Sequence, residues 1–165
     1  MEGHFKLLLM KENKIFKLSK KSAVLAQFFR KKRNIPEDSE IPLDDDINSQ
    51  TLEKIINYLN HYDGNPPKEI PKPLYVTDMK LITDEFSADF VDKLNMEELV
   101  DMISAAHYFK IDPLLDLCCA KMIALCKGKG EEDILKLFDI PKDYFKPEDK
   151  EKIKEDNKWI EEVFQ

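Results

Sequence analysis

Apolar residues recur along this chain with two different periods. Phe5 to Met10 is an apolar run, Lys11-Glu12-Asn13-Lys14 is a polar step, and Ile15-Phe16-Lys17-Leu18 resumes the apolar pattern. Two short runs split by a tight polar turn predict a β-hairpin. Val24, Leu25, Phe28 and Phe29 then fall at i, i+1, i+4 and i+5, the stripe of a helix capped by Ser19 or Ser22 and stopped by Asn34-Ile35-Pro36. Ile41-Pro42-Leu43 is short and carries a proline, so it is at best an edge strand.

From Ser49 onward the period is helical. Leu52, Ile55, Ile56 and Leu59 line one face, and Asp63-Gly64-Asn65-Pro66-Pro67 ends that helix. The stretch 63–83 holds Pro66, Pro67, Pro71 and Pro73, and its composition supports neither helix nor strand, so a mobile Pro-rich loop is expected. Within it, Leu74 to Val76 could form a weak strand. Asp84 to Lys93 carries Phe86, Phe90 and Val91, and Asn95 caps the next helix, whose stripe is Leu99, Met102, Ile103 and Ala106. Asp112-Pro113 opens the most informative segment. Leu114, Leu115, Leu117, Cys118, Cys119, Met122, Ile123, Leu125 and Cys126 make it apolar on nearly all sides, and such a helix must bury both faces. Gly128 and Gly130 end it, and a shorter helix with Ile134, Leu135, Leu137 and Phe138 follows. From Lys142 charges alternate, Pro147 opens a last helix, and Phe145, Ile153, Trp159, Ile160, Val163 and Phe164 are too sparse to build a core. That tail must lean on its own domain or on a partner.

Composition narrows the function classes. With 165 residues, 42% hydrophobic and 36% charged, the chain is expected to be soluble and globular, with one core that needs no cross-links. The net charge of −7 argues against a general nucleic-acid binder. The basic run Arg30-Lys31-Lys32-Arg33 reads as a solvated helix end, with a localisation signal or partner patch as the alternative. No apolar run is long enough to span a bilayer, and no signal peptide is read at the start. Cys118, Cys119 and Cys126 sit in one helical pattern and fit core thiols of a reducing compartment. Chemistry is sparse. Gly128-Lys129-Gly130 is no phosphate loop, His4, His61 and His107 are isolated, and the carboxylates lie in charged runs without apolar cover. No catalytic residue, metal site or cofactor is expected.

Several segments then line up with a known family. Ile41-Pro42-Leu43 through His61-Tyr62 and Pro66-Pro67 come first, followed by Ala105-Ala106-His107-Tyr108-Phe109, Leu114-Leu115-Asp116 and Lys127-Gly128-Lys129-Gly130-Glu131-Glu132-Asp133-Ile134. Lys154-Glu155-Asp156-Asn157-Lys158-Trp159-Ile160-Glu161-Glu162 closes the series. In order and spacing the chain resembles the S-phase kinase-associated adaptors of SCF ubiquitin ligases, over essentially its whole length. The resemblance implies an α+β fold: a BTB/POZ-type domain over 1–127, with a small N-terminal sheet, then a C-terminal helical extension over 128–165. It implies a non-catalytic adaptor, cytoplasmic and nuclear, that bridges a cullin to F-box proteins and binds no nucleic acid or membrane. Ile41, Pro42, Leu43, His107 and Tyr108 are then the cullin candidates, with His107 standing where the family has Asn. Met122, Ile123, Cys126, Leu137, Phe138, Ile140 and Trp159 are the F-box candidates. Trp159 packing on its own domain, and Tyr108 as an ordinary half-buried tyrosine, remain the plain alternatives. Some protist relatives hydroxylate and glycosylate a proline near Pro147, which makes Pro147 a candidate modification site, although Lys146 replaces the usual Thr. A weak homodimer of the free chain is left open. Rival readings are an elongin C-like adaptor, which would end near Ile140, a self-associating channel-type BTB domain, and an enzyme of unknown type.

Overall fold

The computed structural model of the chain describes residues 3–32, 34–36, 39–43 and 46–160. The fold is α+β. Arg33, Val163, Phe164 and part of the closing motif at Glu161-Glu162 lie outside the described residues. The chain divides into two compact units, Met1–Lys127 and Gly128–Gln165.

The first unit opens with β1 (His4–Leu9) and β2 (Lys14–Ser19), paired antiparallel with Leu7 opposite Phe16. Alternation turns Phe5, Leu7 and Leu9 inward. β3 (Glu40–Leu43) adds to the other side of β1 in parallel, with Leu7 opposite Ile41, so the order is β2-β1-β3. β3 is therefore an edge strand, where the missing N–H of Pro42 costs no ladder bond on the outer side.

Between β2 and β3 the expected single helix is replaced by two short 3-10 helices, Ser22–Leu25 and Gln27–Lys32. Ala26 breaks them with φ −96° and ψ 111°. The Gln27 amide donates to the Lys110 carbonyl at 3.1 Å, so a tertiary partner takes the donor that a continuous helix would need. The phenylalanines still reach the core, where Phe29 stacks on Phe5 with ring centroids 5.0 Å apart and on Phe109 at 5.8 Å.

Helices α1 (Ser49–Tyr62), α3 (Glu85–Asp92) and α4 (Met96–Phe109) begin on local caps. The Asn48, Asp84 and Asn95 side chains accept from the amides of Thr51, Ser87 and Glu98. The Asn95 amide in turn donates to the Glu98 carboxylate at 3.1 Å, closing a capping box. Asp63 and Gly64 both have positive φ at the end of α1, and a Cβ on Gly64 would lie 2.8 Å from the Lys21 carbonyl oxygen. Glycine is required there on both counts. α5 (Asp112–Cys126) packs against α4 and α3 and buries Leu114, Leu117, Cys118 and Ala120.

The Pro-rich stretch departs from its expectation. It contains a helical turn, α2 (Met79–Ile82), capped by Asp78, and Met79 and Ile82 join the core. Burial of those two side chains, together with the cap, outweighs the weak local propensity. No strand forms at Leu74 to Val76. The preceding residues lie against α5. Ile70 is buried, Lys72 Nζ donates to both Asp116 carboxylate oxygens at 2.9 Å, and Lys127 Nζ donates to the carbonyls of Leu74 at 3.1 Å and Tyr75 at 2.7 Å.

The second unit holds α6 (Glu131–Leu137) and α7 (Pro147–Asp156). α6 buries Leu135, whereas α7 buries nothing. Lys142 pairs with Glu132 at 3.1 Å and Lys150 with Glu131 at 3.2 Å.

Candidate protein-binding surfaces

Two stretches of surface in the first unit, and one set of side chains in the second, collect the residues singled out from the sequence. The first surface lies at the end of α4. His107 is exposed and Tyr108 half-buried, while Ala105, Ala106 and Phe109 on the opposite side of the helix are buried. The Tyr108 ring packs against Phe28 at 5.2 Å, and Lys32 Nζ stands 4.4 Å from the Phe28 centroid. Tyr108 also borders a concavity of about 390 Å³ with Asp46, Asn48, Thr51, Asp101 and Ser104. Ile47 and Ala105 share its lining, and the Asn48 side-chain amide donates to Asp101 at 3.0 Å.

The strand residues assigned to the same surface separate. Ile41 and Leu43 are 2% and 3% exposed and belong to the core, so their assignment as direct partner contacts is corrected. Only Pro42 faces outward. The period of two explains this, because successive residues of a strand point to opposite faces, which puts Ile41 and Leu43 together on the core side and Pro42 outside.

The second surface is the C-terminal end of α5. The earlier turns place Leu114, Leu117, Cys118 and Ala120 in the core, whereas Met122 and Cys126 are half-buried and Ile123 is 52% exposed. The last turn of this helix is therefore less buried than the turns before it. In the second unit, Leu137, Phe138 and Ile140 are half-buried and Trp159 is 57% exposed, with Ile153 and Ile160 also exposed. Pro147 is exposed at the first turn of α7.

Two of the three α5 thiols are poor nucleophiles. Burial pushes the Cys118 thiol up to about 12 and raises Cys119 as well, the direction that suppresses a thiolate. A part-buried polar network joins α1 and α3. The Tyr62 hydroxyl lies 2.9 Å from both Asp84 oxygens and 2.5 Å from Ser87 Oγ. Burial pushes Tyr62 up to about 12. Burial alone would raise Asp84, but bonds from the Ser87 amide and the Tyr62 hydroxyl hold it below its usual value. These groups cap a helix and tie it to its neighbour. Among the described residues no group of three His, Cys, Asp or Glu could hold a metal, and no helix is long and apolar enough to cross a membrane.

Comparison with known proteins adds the final observation. Residues 112–160 match the Skp1 family, dimerisation domain. The chain is 38% identical to the S-phase kinase-associated protein 1 homolog of Tetrahymena thermophila, over 94% of this chain and 93% of that one. It is 34% identical to the SCF ubiquitin ligase complex protein SKP1a of Dictyostelium discoideum, over 92% of each. It is also 34% identical to the E3 ubiquitin ligase complex SCF subunit sconC of Arthroderma benhamiae, over 70% of each.

Proposed function

The chain belongs to the Skp1 family, and from that premise we propose that it is a non-catalytic adaptor of an SCF-type ubiquitin ligase. It joins a cullin scaffold to F-box substrate receptors in the cytoplasm and nucleus. The observation that carries this reading is Ile123, 52% exposed on a helix whose preceding turns place Leu114, Leu117, Cys118 and Ala120 in the core. Exposed apolar surface at the end of a core helix is what a foreign helical motif would complete.

Met122, Ile123 and Cys126 of the first unit and Leu137, Phe138, Ile140 and Trp159 of the second supply the F-box contacts. Large aromatics with exposed faces are the usual anchors of such interfaces. Pro42, His107 and Tyr108 meet the cullin, with Tyr108 held in place by Phe28. The adaptor contributes proximity. A ubiquitin-charged enzyme on the cullin arm is brought to substrate held by the F-box protein, so an encounter between separate molecules becomes local. Pro147 is exposed, which meets the access requirement for an enzyme that would modify it.

The test is calorimetry of the full chain against a recombinant F-box protein. Ile123→Asp with Trp159→Ala weakens binding by over ~2 kcal/mol on this reading, and undiminished affinity removes the assigned surface. Deleting residues 142–165 separates the elongin C-like alternative, since that kind of adaptor keeps its partner without them.

A further inference from the structure

Residues 66–76 carry two large side chains that the core does not use. Tyr75 is 80% exposed and Val76 is 42% exposed. Resting on the F-box reading above, we propose that Tyr75 and Val76 extend the F-box-binding surface, packing against apolar side chains of the F-box protein beside those that cover Ile123.

The geometry begins with α5. Asp116, Ala120, Ile123 and Lys127 stand at i, i+4, i+7 and i+11, one stripe along the helix and the residue that follows it. The Pro-rich segment follows this stripe. Pro66 to Ile70 lie beside Asp112 and Pro113 at the start of α5. Lys72 holds Asp116 in the second turn, and Lys127 grips the carbonyls of Leu74 and Tyr75 just past the last turn. The strap therefore runs parallel to α5 and delivers Tyr75 within one lysine side chain of the stripe that bears Ile123.

The grip on the backbone decides what the side chains are available for. Lys127 bonds the peptide carbonyls on either side of Tyr75, which leaves the ring and the Val76 methyls out of the anchoring itself. Bonds from an ammonium are stronger than neutral ones, so the backbone is ordered before a partner arrives. An aromatic presented on an ordered backbone loses less entropy when it is covered, the condition under which a tyrosine becomes an anchor. Continuity identifies the occupant. Tyr75, Val76 and Ile123 are all exposed, the Lys127 that holds the Tyr75 carbonyl follows Ile123 by four residues, and α5 lies wholly within the matched family segment 112–160.

The experiment uses the full chain, a recombinant F-box protein and a recombinant cullin N-terminal domain. Tyr75→Ala with Val76→Asp is expected to weaken F-box binding by about tenfold or more, with cullin binding unchanged and Tyr75→Phe close to wild type. Both positions are exposed, so an unchanged thermal melt accompanies the result. If the double variant binds the F-box protein as tightly as wild type while Ile123→Asp does not, the strap is excluded and the F-box reading stands. If wild type itself fails to bind, that reading falls and this proposal with it. If the double variant changes only self-association in sedimentation, the occupant is a second copy of the chain and the proposal is overturned.

Discussion

α5 and α7 are helices held in opposite ways. α5, in the first unit, carries few charges and buries a side chain in each of its first turns. α7, in the second, is exposed along its length and owes its start to Pro147, to Glu148 and Asp149 in the first turn, and to the Lys146 amide bonded to Asp149 at 3.1 Å. Isolated helices shorter than ~12–15 residues are marginal in water, and exposed ion pairs such as Lys150–Glu131 contribute only ~0–1 kcal/mol. The contrast teaches where each part gets its stability. The first unit buries an extensive apolar core, whereas the second leaves Ile153, Trp159 and Ile160 exposed.

The sharpest way to break that contrast is to hollow the first unit. Phe109→Ala removes a ring that stacks on Phe29 and meets Phe28 edge-on, and a loss of about 3–5 kcal/mol in denaturant unfolding is expected. Trp159→Ala should leave the same unfolding curve nearly unmoved, within about 0.5 kcal/mol, because its ring is exposed. A large stability loss there would mean that the second unit builds a core of its own.

Binding reverses the ranking. Ile123→Asp with Trp159→Ala costs over ~2 kcal/mol against an F-box protein, while Phe109→Ala reduces binding only in proportion to the fraction unfolded. Alkylation supplies an independent check. Buried Cys118, with its thiol pushed up to about 12, stays unlabelled in the native chain, whereas half-buried Cys126 is labelled and becomes protected when the F-box protein binds.

Acid titration probes how α1 holds α3 and α4. Asp84 is held below its ordinary 3.8: its bonds from Ser87 and Tyr62 overcome the burial that pushes it up. Glu98 is held below 4.5, chiefly by the Lys54 ammonium and also by the Asn95 amide. Depressed carboxyls favour the folded state once both are ionised, so their contribution is complete above about pH 5 and is lost as pH falls through the folded values. Asp84→Asn should lower stability at pH 7 by about 1–2 kcal/mol and shallow the acid limb of the stability profile. A profile of unchanged steepness would locate the acid sensitivity elsewhere. The smallest effect expected is that of Asn95→Ala, about 1 kcal/mol for the lost capping box, read from the same denaturant curves.

Much of the first unit was legible in advance because its signals are local. Asn95 with Glu98 three residues on is a complete capping signal, and Leu52, Ile55, Ile56 and Leu59 describe the buried side of α1 without knowledge of what covers it. The strand residues show the limit. Ile41-Pro42-Leu43 was readable as an edge strand, but which of its side chains face outward depended on pairing with β1.

The order of hairpin, edge strand and helices and the family itself were determined by the sequence, since periodicity, caps and motif order are properties of neighbouring residues. The break at Ala26, the turn at Met79–Ile82, the path of the Pro-rich strap and the open end of α5 were decided only by the tertiary structure. Each turns on partners remote in sequence: Lys110 for the Gln27 amide, the core for Met79, and Asp116 for Lys72, 44 residues away. Local propensity is weak where such partners compete, and the free energy of distant burial and hydrogen bonding then selects the conformation.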